Sequence, residues 1–306
     1  MGAFINPLTP RLLVNAGESE RFGSINLCGF VNIIDEDKIE QFSAVTYELY
    51  KDQYLIVYRG TDDTVVAWYE DFNLGWMDEI PAQKDAALYV KKAFSTLKGS
   101  FSIAGHSKGG NLALKAGISL EKAERKRLQT IYNFDGPGFY PEVLKSDGYL
   151  KIQDRIRSYY PQFCVVGMMF EHGPAYQIVR SSDEGILQHD PFGWNISGST
   201  FQTEASFDET SRFVYESFNS WTRRLSVAER KRFIDVFFSV IYASGAKTNY
   251  EIDQNRVICG GKMLAKMAEL TDSERSDFMR AVKNLIDVAK DKLPMINVFN
   301  LLRNKK

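Results

Sequence analysis

The sequence predicts an α/β fold, a mostly parallel sheet flanked by helices with an antiparallel edge, followed by a C-terminal helical subdomain. Three observations carry this expectation. The apolar run Phe101-Ser102-Ile103-Ala104 leads into Gly105-His106-Ser107-Lys108-Gly109-Gly110, and Asn111-Leu112-Ala113-Leu114-Lys115-Ala116 then has helical spacing. Strand, G-x-S-x-G, helix is the sequence form of a nucleophile elbow, a turn so tight that the serine hydroxyl projects from the top of a sheet. Around it, strand-like runs alternate with helical ones, the pattern that builds parallel sheets. Beyond about residue 205 the readable segments are all helical. The expected division is therefore 1–205 for the α/β domain and 206–306 for a helical cap or interaction subdomain.

In chain order, residues 42–59 read as a hairpin, with Phe42–Tyr50 and Tyr54–Tyr58 as strands around Lys51-Asp52-Gln53. A helical, aromatic-rich stretch runs from Val65 to Trp76. Pro81 suits the first turn of a helix that continues to about Leu97. After the elbow, Thr130–Phe134 is the next strand, ended by the turn residues Asp135-Gly136-Pro137-Gly138. Further strands are expected at 156–160, 164–170, 175–180 and 187–197. Helices are expected over Phe207–Trp221, Val227–Tyr242, Gln254–Glu269 and Ser273–Lys290. Capping boxes stand at Ser226-Val227-Ala228-Glu229 and Thr271-Asp272-Ser273-Glu274.

The 306 residues suffice for one large or two smaller cores, and 44% hydrophobic with 25% charged residues is an ordinary soluble composition. A net charge of −1 argues against a nucleic-acid partner. The basic runs Lys122–Arg127 and Arg223–Arg232 are interleaved with Glu and read as solvated helix faces. Cys28, Cys164 and Cys259 are scattered and odd in number, so neither a zinc site nor a disulfide framework is expected. No metal and no organic cofactor is expected. The N-terminus lacks the pattern of a signal peptide and no run approaches a membrane span, so the expected location is cytoplasmic.

A serine nucleophile needs a base, a group that orients the base, and preset N–H donors for the oxyanion. Ser107 is the nucleophile candidate. Two histidines lie downstream: His189, in the loop Leu187–Trp194, is preferred over His172 in an earlier turn. His106 belongs to the elbow and is expected to pack beneath the turn. For the acid, Asp135 at the end of the strand after the elbow helix is favoured, with Asp183 and Asp190 left open. Tyr58-Arg59-Gly60-Thr61 ends a strand upstream of the elbow, where Thr61 can offer its N–H and hydroxyl to the oxyanion. The amide of Lys108, the residue after the nucleophile, is the second donor candidate.

With those residues in place, Tyr58–Phe72 resembles the signature of the class 3 (fungal-type) lipases, in which an R-G-S/T oxyanion loop precedes a Trp and an Asp. The elbow resembles that family's G-H-S-L-G-G. Residues 20–200, through Gln41–Thr46, the Arg59–Asp63 loop, Pro81–Lys84, Gly105–Ala113 and Gln188–Asp190, resemble a bacterial lipase-like family, domain of unknown function family 2974. The resemblance implies an α/β-hydrolase core with Ser107 as nucleophile, His189 as base, and Thr61 and Lys108 as oxyanion donors. It also implies a lid over Val65–Ile80, with Trp68, Phe72, Leu74 and Trp76 facing substrate or core. Two departures stand out: Lys108 replaces the usual leucine, and Cys164 stands about where the lipase acid is expected.

The expected function is a serine hydrolase that cleaves carboxylic esters, acyl lipids or small acyl esters, through an acyl-enzyme on Ser107. The departures and the added helices define the alternative, an inactive lipase-like scaffold that binds an acyl ligand or a protein. Acyl transfer or peptide hydrolysis on the same groups is a third reading. Substrate chain length, the acid's identity and the oligomeric state stay open.

Overall fold

The computed structural model describes residues 6–292. A helix that the sequence reading did not anticipate, α1 (Thr9–Glu18), comes first and buries none of its residues. It leads to β1 (Asn26–Asp35), an edge strand, and then to the expected hairpin of β2 (Glu40–Tyr50) and β3 (Gln53–Tyr58). Next come α2 (Val65–Asn73), α3 (Pro81–Thr96), β4 (Ser100–His106) and α4 (Lys108–Ile118). The short α5 (Lys122–Arg125) precedes β5 (Leu128–Phe134), and α6 (Pro141–Leu144) and α7 (Asp147–Leu150) precede β6 (Ile156–Pro161). After β7 (Tyr176–Val179), a two-stranded ribbon, β8 (Ile196–Ser197) and β9 (Thr200–Phe201), leads to β10 (Thr203–Glu204). The chain continues as α8 (Glu209–Arg224), α9 (Val227–Ala243), α10 (Asn249–Gln254), α11 (Arg256–Glu269) and α12 (Asp272–Lys292).

Eight strands form one sheet in the order β1-β2-β3-β4-β5-β6-β7-β10. From β3 to β7 neighbours are parallel, and the pairs at either margin are antiparallel. This is the expected α/β-hydrolase-like architecture. Alternation in the hairpin turns Phe42, Ala44 and Thr46 of β2, and Tyr54, Ile56 and Tyr58 of β3, to one buried face. On that face α3 lays down a stripe of small or branched residues, Ala82, Ala86, Val90 and Ala93, and α4 contributes Leu112, Ala113 and Ala116. Both helices then lie close to the strands. Consecutive strand ends β3, β4 and β5 therefore deliver Thr61, Ser107 and Asp135 to the same edge of the sheet.

Several expected elements are corrected. Residues 164–170 form turns, not a strand, and 187–197 fold mainly as two 3₁₀ turns, Gly185–His189 and Pro191–Gly193. The helix expected at 254–269 is broken at Asn255, which leaves helical geometry between α10 and α11. Arg127 does not sit on a solvated face: it donates to the carbonyls of Gly99, Phe94 and Leu97 at 2.7, 2.7 and 2.5 Å. Its guanidinium also lies over the rings of Phe94 and Phe101. Both capping boxes form: Ser226 with Glu229, and Thr271 with Glu274.

The C-terminal helices grip α2. Tyr69 stacks on Phe238 at 4.4 Å and its hydroxyl donates to Asp235 at 2.8 Å. Phe72 stacks on Phe237 at 5.6 Å. A backbone hydrogen bond from Val65 N–H to Lys247 O and a bridge between Thr64 and Thr248 complete the join. No helix among the described residues is long and apolar enough to cross a membrane.

Candidate active site

β4 ends at His106 and α4 begins at Lys108, so Ser107 makes the whole turn by itself. Its backbone has φ 57° and ψ −132°, a conformation that a non-glycine residue holds only when its surroundings enforce it. The enforcement is close packing. A methyl on Gly109 would lie 2.2 Å from Tyr58 O, so only glycine lets the first turn of α4 sit against the end of β3. The adjoining oxyanion-loop candidate is equally near, because a methyl on Gly60 would lie 3.2 Å from Ser107 Cβ. As the first residue of α4, Lys108 has no intrahelical partner for its N–H.

Asp135 leaves the end of β5 with φ 48° and is fully buried. Its Oδ2 accepts from His189 Nδ1 at 2.6 Å. Its Oδ1 accepts from Cys164 Sγ at 2.8 Å and from the Gly167 N–H at 3.2 Å. Burial and then the neighbouring Asp135 charge push the Cys164 thiol well above its ordinary value, so it remains a hydrogen-bond donor. With the Nδ1 proton directed at Asp135, the His189 tautomer leaves Nε2 free to accept one.

The His189 loop is fixed from several sides. His106 Nε2 donates to the His189 carbonyl at 2.8 Å, and the two rings lie 4.5 Å apart. Burial, and then His189, push the His106 imidazole down to about 4, so it is neutral across the physiological range. Gln188 accepts from the Phe163 N–H and Trp194 Nε1 donates to Gln188 O, each at 2.8 Å. Thus His106 does more than pack beneath the turn: it ties the residue before the serine to the histidine loop.

The other candidates separate cleanly. Asp190 accepts from Asn6 at 2.6 Å and from the Phe192 N–H at 3.0 Å, so it shapes the loop and does not orient the ring. Asp183 faces Gly193, where a methyl would lie 1.9 Å from its Oδ2. His172 packs among Tyr160, Tyr176 and Tyr215. The structure thus brings Asp135 to His189 and leaves Asp183, Asp190 and His172 in other surroundings.

The expectation for the Thr61 hydroxyl needs correction, and the surroundings of Lys108 account for it. The Lys108 ammonium is not beside the nucleophile hydroxyl but is buried beneath the loop. It lies 2.9 Å from Glu70 Oε2, 2.9 Å from Gln41 O and 3.6 Å from Asp71 Oδ1. The Thr61 hydroxyl donates to Asp71, which leaves the Thr61 N–H as that residue's candidate donor. Of the two surroundings expected for the Val65–Ile80 aromatics, substrate or core, the packing is that of a core. Trp68 and Trp76 pack in a cluster with Val65, Ile234 and Phe238, and Phe72 lies against Phe237 and Phe238. All three aromatics meet α9.

Sequence reasoning missed Glu70, Asp71, Gln83 and Asn111. Glu70 accepts from the N–H groups of Gln41 and Ala82 at 3.0 and 2.8 Å. Asn111 on α4 accepts from Gln83 at 2.7 Å and donates to Pro137 O and Gly138 O, binding the elbow helix to the turn after Asp135. The available signal was a polar residue recurring on an otherwise apolar helix face. Among the described residues, no group of three or more His, Cys, Asp or Glu is arranged to hold a metal.

A family model with the description Mbeg1-like matches residues 16–239, well over half of the chain. The chain belongs to the Mbeg1-like family. No curated protein matches it. Solved structures similar to this Mbeg1-like chain include a Rhizomucor miehei lipase in complex with its propeptide, at 15% identity and a TM-score of 0.37. That match covers 60% of this chain and 61% of the lipase, so the chain spans about three fifths of that protein's length. A triacylglycerol lipase from Penicillium expansum is 11% identical, with 52% of this chain and 70% of the other covered and a TM-score of 0.37.

Proposed function

We propose that this Mbeg1-like protein is a serine hydrolase that cleaves carboxylic esters, acyl lipids or small acyl esters, through an acyl-enzyme on Ser107. The observation that carries the reading is the 2.6 Å contact between His189 Nδ1 and the buried Asp135, on a loop bonded to the residue before Ser107. In this reading Ser107 Oγ attacks the acyl carbonyl while His189 Nε2 takes its proton, and Asp135 stabilises the imidazolium. The tetrahedral oxyanion is met by the N–H groups of Lys108 and Thr61. The imidazolium returns the proton to the leaving alcohol, and water then repeats the sequence to free the acid.

The inactive-scaffold alternative drew on the missing carboxylate at Cys164. A carboxylate reaching His189 from β5 favours the hydrolase. The same reading assigns the chain to domain of unknown function family 2974 of bacteria and to the cytoplasm. Fluorophosphonate labelling tests the chemistry. Wild-type protein is expected to label at Ser107 and to hydrolyse 4-nitrophenyl esters, and Ser107→Ala to do neither. A folded wild type inert to both reagents would sink the proposal.

A further inference from the structure

We propose that Lys108 is a positioning residue that couples the two oxyanion donors: its amide is one, and its ammonium holds the other through Asp71. The inference deepens the hydrolase reading above and rests on it.

Lys108 is 2% exposed although it follows the nucleophile directly. Its side chain turns under the loop, where Glu70 Oε2 and Gln41 O each accept at 2.9 Å and Asp71 Oδ1 lies at 3.6 Å. Two of its N–H donors are thus used in hydrogen bonds, and the ammonium meets Asp71 Oδ1, which has no hydrogen-bond partner, as an ion pair. Asp71 Oδ2 in turn accepts from Thr61 Oγ1. An ion pair and then a hydrogen bond therefore link the residue after Ser107 to Thr61.

Charge decides how Thr61 is held. An ionised carboxylate only accepts, so ionised Asp71 obliges the Thr61 hydroxyl to donate to it and fixes the loop in one arrangement. A protonated Asp71 can itself donate, and the hydroxyl is then free to turn. Burial pushes the Asp71 carboxyl up to about 6, against the opposing pull of Lys108 first and Thr61 second. Glu70 on the same helix adds to the upward push. Glu40 on β2, itself raised to about 7 by burial and then by Asp85 on α3, also feels the Glu70 charge. Lys108 is the cation that opposes this acidic surround at Asp71. The ammonium therefore has two tasks: it compensates Glu70, to which two backbone N–H groups also donate, and it pulls on Asp71 from 3.6 Å.

The test is the pH profile of 4-nitrophenyl ester hydrolysis, with active sites counted by fluorophosphonate. Lys108→Met is expected to move the acid limb of kcat upward by about 1 pH unit or more. At pH 7 a shift of about 1 unit should lower kcat per active site about twofold, and a shift of about 2 units about tenfold, with KM unchanged. Asp71→Asn should remove only the Asp71 contribution and leave the limb that a general-base imidazole itself imposes, and adding Lys108→Met to it should shift nothing further. The pair Lys108→Met/Glu70→Gln, which leaves no uncompensated Glu70 charge, should keep the shifted limb and serves where the single variant does not fold. An unmoved limb with unchanged kcat per active site, in either folded variant, overturns the proposal. A wild type that neither labels nor turns over defeats the hydrolase reading instead. Carboxyl-¹³C NMR then still decides the coupling, because Lys108→Met must raise the Asp71 midpoint or the coupling is refuted.

Discussion

Cys164 carries the most instructive substitution in the site. It stands at the end of β6, about where the lipase resemblance places an acid, and its thiol instead donates to Asp135 from the neighbouring strand. The carboxylate that meets His189 comes from the end of β5, and the Cys164 thiol supplies it with a hydrogen bond. Cys164→Ala removes that donor and leaves Asp135 Oδ1 with the Gly167 N–H alone. The expected loss is about 1 kcal/mol, or about fivefold in kcat, and Cys164→Ser should recover most of it. Asp135→Asn should cost kcat on the order of 10⁴-fold, because the histidine tautomer is then no longer fixed. Steady-state ester kinetics on the four proteins check both outcomes. At this scale the sequence was legible wherever a residue stood in a motif with its own chemistry, as Ser107 and His189 do. Glu70, Asp71 and Asn111 were not, because a buried carboxylate or amide looks in one sequence like any exposed polar residue.

Elements were legible where periodicity and punctuation agreed. The β2–β3 hairpin, the elbow strand and α9 with its capping box all carry both signals. The apolar run 164–170 misled because its side chains are buried for another reason. Cys164 and the Gly167 N–H hold the Asp135 carboxylate from a turn, Met168 packs with Tyr160, and Phe170, at φ 65°, packs on Tyr140 and Phe218. β1 was missed because a bulge between Cys28 and Val31, at Gly29, interrupts its alternation. Arg127 shows the same limit for charge, since a run of Lys, Arg and Glu hid one structural guanidinium. It closes the C-terminal end of α3 by donating to Phe94 O and Leu97 O, where a cation also meets the helix dipole. Arg127→Met should strand three carbonyls and destabilise the fold by about 2–4 kcal/mol. Urea unfolding should show a lower midpoint with an unchanged slope, whereas a midpoint like that of the wild type would assign the carbonyls to solvent.

On the scale of the whole molecule, the question is whether the helices after residue 205 are a separable unit. Their contacts reach the α/β part at two places that matter for the site. α9 covers Val65, Tyr69 and Phe72 of α2, the helix that also carries Glu70 and Asp71. Ser211 near the start of α8 accepts from the Cys164 N–H at 2.8 Å, one residue contact away from Asp135. The family match, 16–239, likewise runs past 205 and includes α8 and nearly all of α9. We therefore expect a chain cut at 205 to expose the α2 aromatics and to loosen both the oxyanion loop and the acid. A chain cut after α9 keeps the α9 rings on α2 while losing the Lys247 and Thr248 backbone contacts to Val65 and Thr64 along with α10 to α12. The predicted order is clear: residues 1–243 retain cooperative unfolding and fluorophosphonate labelling, and residues 1–205 lose both. A fragment 1–205 that unfolds cooperatively and labels at the full-length rate would make the C-terminal helices an independent module. Phe238→Ala in the full chain tests the same interface without truncation, with an expected loss of about 3–5 kcal/mol for a buried aromatic. If labelling slows along with the loss of stability under conditions where the variant is still fully folded, α9 acts on the site through α2.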